Sequence, residues 1–87
     1  MTNRRNLPKI VEVYRTINEY ILQHFEAPSM PILVELGCGA STSVISYYFD
    51  EMVELNMAKR TPSGSIYLLP LHEAHPAVRA LLEAENG

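Results

Sequence analysis

Residues 35–43 place two glycines, a thiol and three hydroxyls within nine positions: Glu35, Leu36, Gly37, Cys38, Gly39, Ala40, Ser41, Thr42 and Ser43. A Gly-x-Gly turn between an apolar run and a helix can seat a ligand at the helix N-terminus. Glycine lets the backbone come close, and the helix N-terminus offers unpaired N–H groups. The run before it, Ile32 to Leu36, reads equally as a strand or as a short helix, because so short an apolar stretch is not settled by periodicity. As a strand it makes a cofactor loop. As a helix it turns the glycines into a connection between two helices.

The strand alternative points to the S-adenosylmethionine pocket of a methyltransferase, and chain length weighs against it. A doubly wound sheet needs several βαβ units of ~30 residues, and only about 50 residues follow the glycines. Ser41 could supply the third small residue of such a loop. The acidic residue expected after the next strand is missing, since Asp50 and Glu51 fall inside a helical pattern. No cofactor is expected. No nucleophile–base pair stands out, and the chain is not expected to be an enzyme. His72 and His75 have a spacing that could share a metal, but no acidic or cysteine motif accompanies them and no metal site is expected. His75 before Pro76 reads as a helix cap. His24 reads as a favourable partial charge at a helix end.

The chain has 87 residues, 47% of them hydrophobic and 20% charged, which suits one small domain with a modest core. Its single cysteine, Cys38, excludes an internal disulfide and a cysteine zinc cage, and reads as a small, partly buried filler. There is no apolar run of transmembrane length and no secretory pattern, so a cytoplasmic, non-membrane location is expected. The net charge of −3 argues against binding nucleic acid by charge alone. Its distribution is uneven: Arg4, Arg5, Lys9 and Arg15 lie near the start, Lys59 and Arg60 are adjacent, and residues 16–58 hold no Lys or Arg. Any anion-binding surface must use those two basic clusters.

Asn6 is the expected cap of a first helix, with Pro8 in its first turn. Ile10, Val13, Tyr14, Ile17, Ile21 and Phe25 then recur at three- and four-residue spacing as its core stripe. Pro28 and Pro31 break that helix, and Ser29 stands as the cap of a short second one ended by Gly37 or Gly39 in a left-handed conformation. Ser41 or Thr42 caps a third, with Ile45, Tyr48, Phe49, Met52 and Leu55 inward and Ser43, Ser46, Tyr47, Asp50 and Glu54 outward. Asn56 reads as its stop. Pro62-Ser63-Gly64 reads as a hairpin turn, with Lys59 and Arg60 on the first strand. A short last helix is expected from Pro76 to about Glu83, with Val78, Leu81 and Leu82 on one side and a frayed end beyond. The expected class is mainly α with a small β-hairpin. Residues 1–70 form the domain, and 71–87 form a C-terminal segment carrying the short helix.

The stretch from Glu12 to Ile21, Pro28-Ser29, and Ala40 to Phe49 together resemble the winged helix-turn-helix DNA-binding domain at the N-terminus of LexA-type repressors. The first resembles that family's Glu-Val-Tyr-x-x-Ile-x-x-x-Ile opening, the second its Pro-Ser or Pro-Thr pair, and the third its Ser-Ser-Thr-Ser recognition-helix start. The likeness covers residues 8–69. It implies a three-helix core plus a wing, and a bacterial or phage transcription regulator that binds double-stranded DNA. Carried over by position, it implies a recognition helix that reads bases through Ser41, Thr42, Ser43, Val44, Ser46 and Tyr47. Phosphate contacts would come from Arg4, Arg5, Lys9, Lys59, Arg60 and Ser63. It also allows a homodimer through the last helix, although a last helix that packs on the first would read the same. The peptidase domain of full-length repressors has no room here, so self-cleavage is not implied. The other use open to the same fold is a protein-interaction module that binds no DNA.

Overall fold

A regular apolar spacing becomes α1, Leu7–His24. In the computed structural model, which describes residues 6–86, Asn6 caps this helix by accepting from the Lys9 backbone N–H at 3.4 Å. Ile10, Val13, Tyr14 and Ile17 are buried as expected, and Val11 joins them. Phe25 does not. The helix ends at His24, Phe25 takes a left-handed φ of 59°, and its ring is 89% exposed. The stripe stops one turn early because the backbone reverses before the ring can reach the core.

Ile32 to Leu36, where strand and helix readings competed, falls in the short helix α2, Met30–Glu35, and its cap Leu36. Ser29 precedes it with an extended backbone, but its hydroxyl makes no capping bond; its carbonyl accepts from Leu33 instead, at 3.0 Å. The helix closes in a Schellman motif. Gly37 donates to Val34 O and Cys38 to Leu33 O, both at 3.0 Å, with Gly37 at φ 84°. Leu33 and Cys38, the positions whose apolar contact commonly accompanies this motif, are both buried in the core. Gly39 sits in a tight place for a different reason: a Cβ there would lie 3.0 Å from side-chain atoms of Val44 and Ile45, which would have to shift to admit it.

Ser41 caps α3, Thr42–Glu54, by accepting from the Val44 N–H at 3.4 Å. Ile45, Phe49, Met52 and the following Leu55 are buried, while Tyr48 is only half-buried against the ring of Tyr47. This helix also ends in a Schellman arrangement. Asn56, at φ 60°, donates to Val53 O, and Met57 donates to Met52 O.

Strands β1, Ala58–Arg60, and β2, Ile66–Leu68, pair antiparallel with Ala58 opposite Leu68, Lys59 opposite Tyr67 and Arg60 opposite Ile66. The turn closes through Gly64 N–H to Thr61 O at 2.9 Å and Thr61 N–H to Ser65 O at 3.1 Å, with Gly64 at φ 90°. The base of the hairpin is fastened twice more. Asn56 Nδ2 donates to Glu73 O, and His75 N donates to Leu55 O, each at 2.8 Å. A 3-10 turn, Leu71–Glu73, then leads into α4, Pro76–Asn86.

The molecule is mainly helical with one two-stranded antiparallel sheet among the described residues. Helices α1 and α3 sandwich the core, α2 leans on α3, β1 packs along α3, and α4 packs on α1. The last helix runs three residues past Glu83, with Glu85 paired to Arg15 of α1 at 3.0 Å. Its Val78 is fully buried in the common core, beside Ala74. No helix of the described residues is long and apolar enough to cross a membrane.

Candidate nucleic-acid interface

The first two turns of α3 carry one side to the core through Ile45 and Phe49, and the opposite side to solvent. Thr42, Ser43, Val44 and Tyr47 are exposed, with Tyr47 at 53%. Thr42 and Ser43 bring hydroxyls, Val44 two methyl groups, and Tyr47 a phenol on an apolar ring. Ser41, also exposed, uses its oxygen as the helix cap and retains a hydroxyl proton to donate.

Ser46 is partly covered, because Arg60 reaches it from β1. Arg60 Nη2 lies 3.0 Å from Ser46 Oγ, 3.1 Å from Ser46 O and 2.9 Å from Asp50 Oδ1. The guanidinium carbon also sits 5.4 Å from the centre of the buried Phe49 ring. Lys59 lies elsewhere. Successive strand residues project to opposite faces, so Ala58 and Arg60 face α3 and the core, while Lys59 is exposed opposite an exposed Tyr67.

The adjacent pair Lys59-Arg60 is therefore not one cationic patch. Arg60 is committed to α3, and Lys59 makes no ion pair among the described residues. Lys9, the third expected phosphate contact, is also engaged: its Nζ donates to Gly37 O at 3.3 Å and lies 3.9 Å from Glu12. It fastens α1 to the turn that precedes α3. Ser63 stands exposed at the hairpin tip, its hydroxyl 3.0 Å from that of Thr61. Arg4 and Arg5 lie outside the described residues.

Cys38 is buried, and burial pushes its thiol pKa up, with Lys9 opposing that shift. It is a packing group rather than a nucleophile. The two histidines considered for a metal are directed elsewhere: His72 pairs with Glu73 at 3.6 Å, and His75 Nδ1 accepts from the Ala77 N–H at 3.0 Å. Among the described residues no group of His, Cys, Asp and Glu is arranged to hold a metal ion. The strand that a cofactor loop would require is absent at residues 30–36, which are helix and helix cap.

Neither a family model, nor a curated protein, nor a solved structure matches this chain. The functional reading therefore rests on the surface itself.

Spacing places Ser43, Tyr47, Asp50 and Glu54 outward and they are exposed, whereas Ser46, placed with them, is partly covered, and Thr42 and Val44 are implied by the resemblance. The sequence alone missed the Arg60–Ser46–Asp50 cluster, whose members lie 14 and 10 residues apart. Only the docking of β1 on α3 reveals it. The alternation of Lys59 and Arg60 was the one available signal, since neighbours in a strand cannot share a face.

Proposed function

We propose that this chain is a winged helix-turn-helix DNA-binding regulator that lays the N-terminal half of α3 in the major groove. The observation that carries the reading is the uncovered face of α3, Thr42, Ser43, Val44 and Tyr47, with the hairpin held alongside it. A helix fits the major groove, about 12 Å wide, and small polar side chains near its N-terminus permit close approach. Hydroxyls pair with several base edges, and valine methyls suit the thymine methyl. The positive end of the α3 dipole favours a nearby phosphate. The LexA-type resemblance of residues 8–69 supports the same placement and a cytoplasmic bacterial or phage setting.

Under this reading Ser43→Ala or Tyr47→Ala changes which duplex is preferred. Lys59→Ala weakens binding to all duplexes alike and reduces the log–log salt slope by about 0.9. Selection from a random duplex library at low salt, followed by salt titration of the variants, is the measurement. An unaltered preference and slope in these variants would overturn the assigned surface. A dimer through α4 has to use the outer side of that helix, near Arg79 and Glu83, because Val78 is in the core.

One observation favours a second reading, a protein-interaction module. Arg60 and Lys9 are engaged within the chain, so the α3 face is nearly devoid of free cations among the described residues. Absence of any duplex binding at low salt would select that reading over the first.

A further inference from the structure

We infer that Arg60 is a positioning residue rather than a phosphate ligand, and that Asp50 holds it in that role, keeping DNA binding weakly dependent on salt. The inference rests on the DNA-binding reading above. Arg60 is the last residue of β1, and its Nη2 meets acceptors from two successive turns of α3, Ser46 and Asp50. Its side chain is 32% exposed and lies over a ring that is itself buried. Thr61, the next residue, opens the hairpin turn. The cluster thereby fixes the distance from the hairpin tip to the exposed face of α3.

The charge consequence follows from the same geometry. With its carboxylate partner 2.9 Å away, the guanidinium is already neutralised, so a phosphate meets a pair without net charge in place of a free cation. Counterion release counts only cations that neutralise phosphates. Asp50 thus acts as an internal competitor for the position a phosphate would take. The alternative role is the opposite one, in which Asp50 merely aims Arg60 at a phosphate.

Two variants separate the roles. In Arg60→Ala, affinity falls on every duplex while the salt slope keeps its wild-type value. In Asp50→Asn, the released guanidinium meets a phosphate, so binding tightens at low salt and the slope steepens by about 0.9. The double variant returns to the slope of Arg60→Ala. A slope shallower by about 0.9 in Arg60→Ala, or an unchanged slope in Asp50→Asn, overturns the inference. Thermal melting of the four proteins without DNA gives an independent readout, because a working clamp makes the two substitutions non-additive. Strict additivity of the melting shifts overturns the clamp even if wild-type protein binds no duplex, an outcome that separately removes the DNA-binding reading.

Discussion

Tyr14 shows how one polar atom is accommodated at the edge of the core. Its ring is buried, and its hydroxyl donates to the Leu69 carbonyl at 2.8 Å, joining α1 to the end of the hairpin. Tyr14→Phe leaves that carbonyl without its donor, so the variant is expected to lose about 1 kcal/mol in denaturant unfolding. Burial also raises the Tyr14 pKa. The folded state then keeps a proton that the unfolded state releases. That stability is fully present below the ordinary phenol value of about 10 and is lost as pH rises past it. Cys38, raised by burial, adds a similar loss beginning near the ordinary thiol value of about 8.5, and it does so in both proteins. Stability measured from pH 8 to 11 should therefore fall more steeply in wild type than in Tyr14→Phe. Equal slopes would mean the phenol does not titrate differently on folding. None of this was legible in advance: the tyrosine was placed in the core by spacing, but its partner lies 55 residues away.

The helices were far more legible, and the caps explain why. Gly37 and Asn56 are residue types that tolerate a left-handed backbone, so the sequence announces the stop at Asn56 and narrows the other to Gly37 or Gly39, of which Gly37 takes the left-handed conformation. Phe25 adopts the same conformation without being either type, and for that reason spacing alone carried the core stripe of α1 one turn too far, although the helix itself ends only one residue earlier. Gly37→Ala is expected to cost about 1 kcal/mol through strain, since a Cβ there meets nothing within 4 Å and sterics with neighbours cannot be the cause. Asn56→Gly relieves the backbone but forfeits the bond to Glu73 O, whereas Asn56→Ala loses both and should be the less stable of the two. Chemical denaturation of the three variants checks the order. A neutral Gly37→Ala would contradict the cap. The face presented by α3 was equally readable, because a helix with Ile45, Phe49 and Met52 inward leaves Ser43 and Tyr47 no inward position. The hairpin was readable only as a hairpin; which strand face meets α3 depends on packing.

At the scale of the whole molecule, the C-terminal segment shares the core with the helices before it. Val78 is fully buried and α4 rests on α1, with Arg15 and Glu85 paired across the contact. Val78→Ala removes two methyl groups from that core and should cost roughly 2 kcal/mol, equivalent to a fall of roughly 10 °C in melting temperature for a domain of this size. Arg79→Ala, on the exposed side of the same helix, should stay within about 0.5 kcal/mol of wild type. Equal effects in thermal melts would show that the helix is not anchored through Val78.

The hairpin leaves the body of the protein after Leu55 and Asn56 and returns at Glu73 and His75, and those two ends are tied to each other by backbone and side-chain bonds. It is thus a loop with a stapled base. Lengthening such a loop at its tip raises the closure entropy by only about 0.6 kcal/mol per doubling. The segment around Pro62 to Gly64 is where this fold can gain or lose reach, or accept an inserted peptide, while its helical body stays as it is.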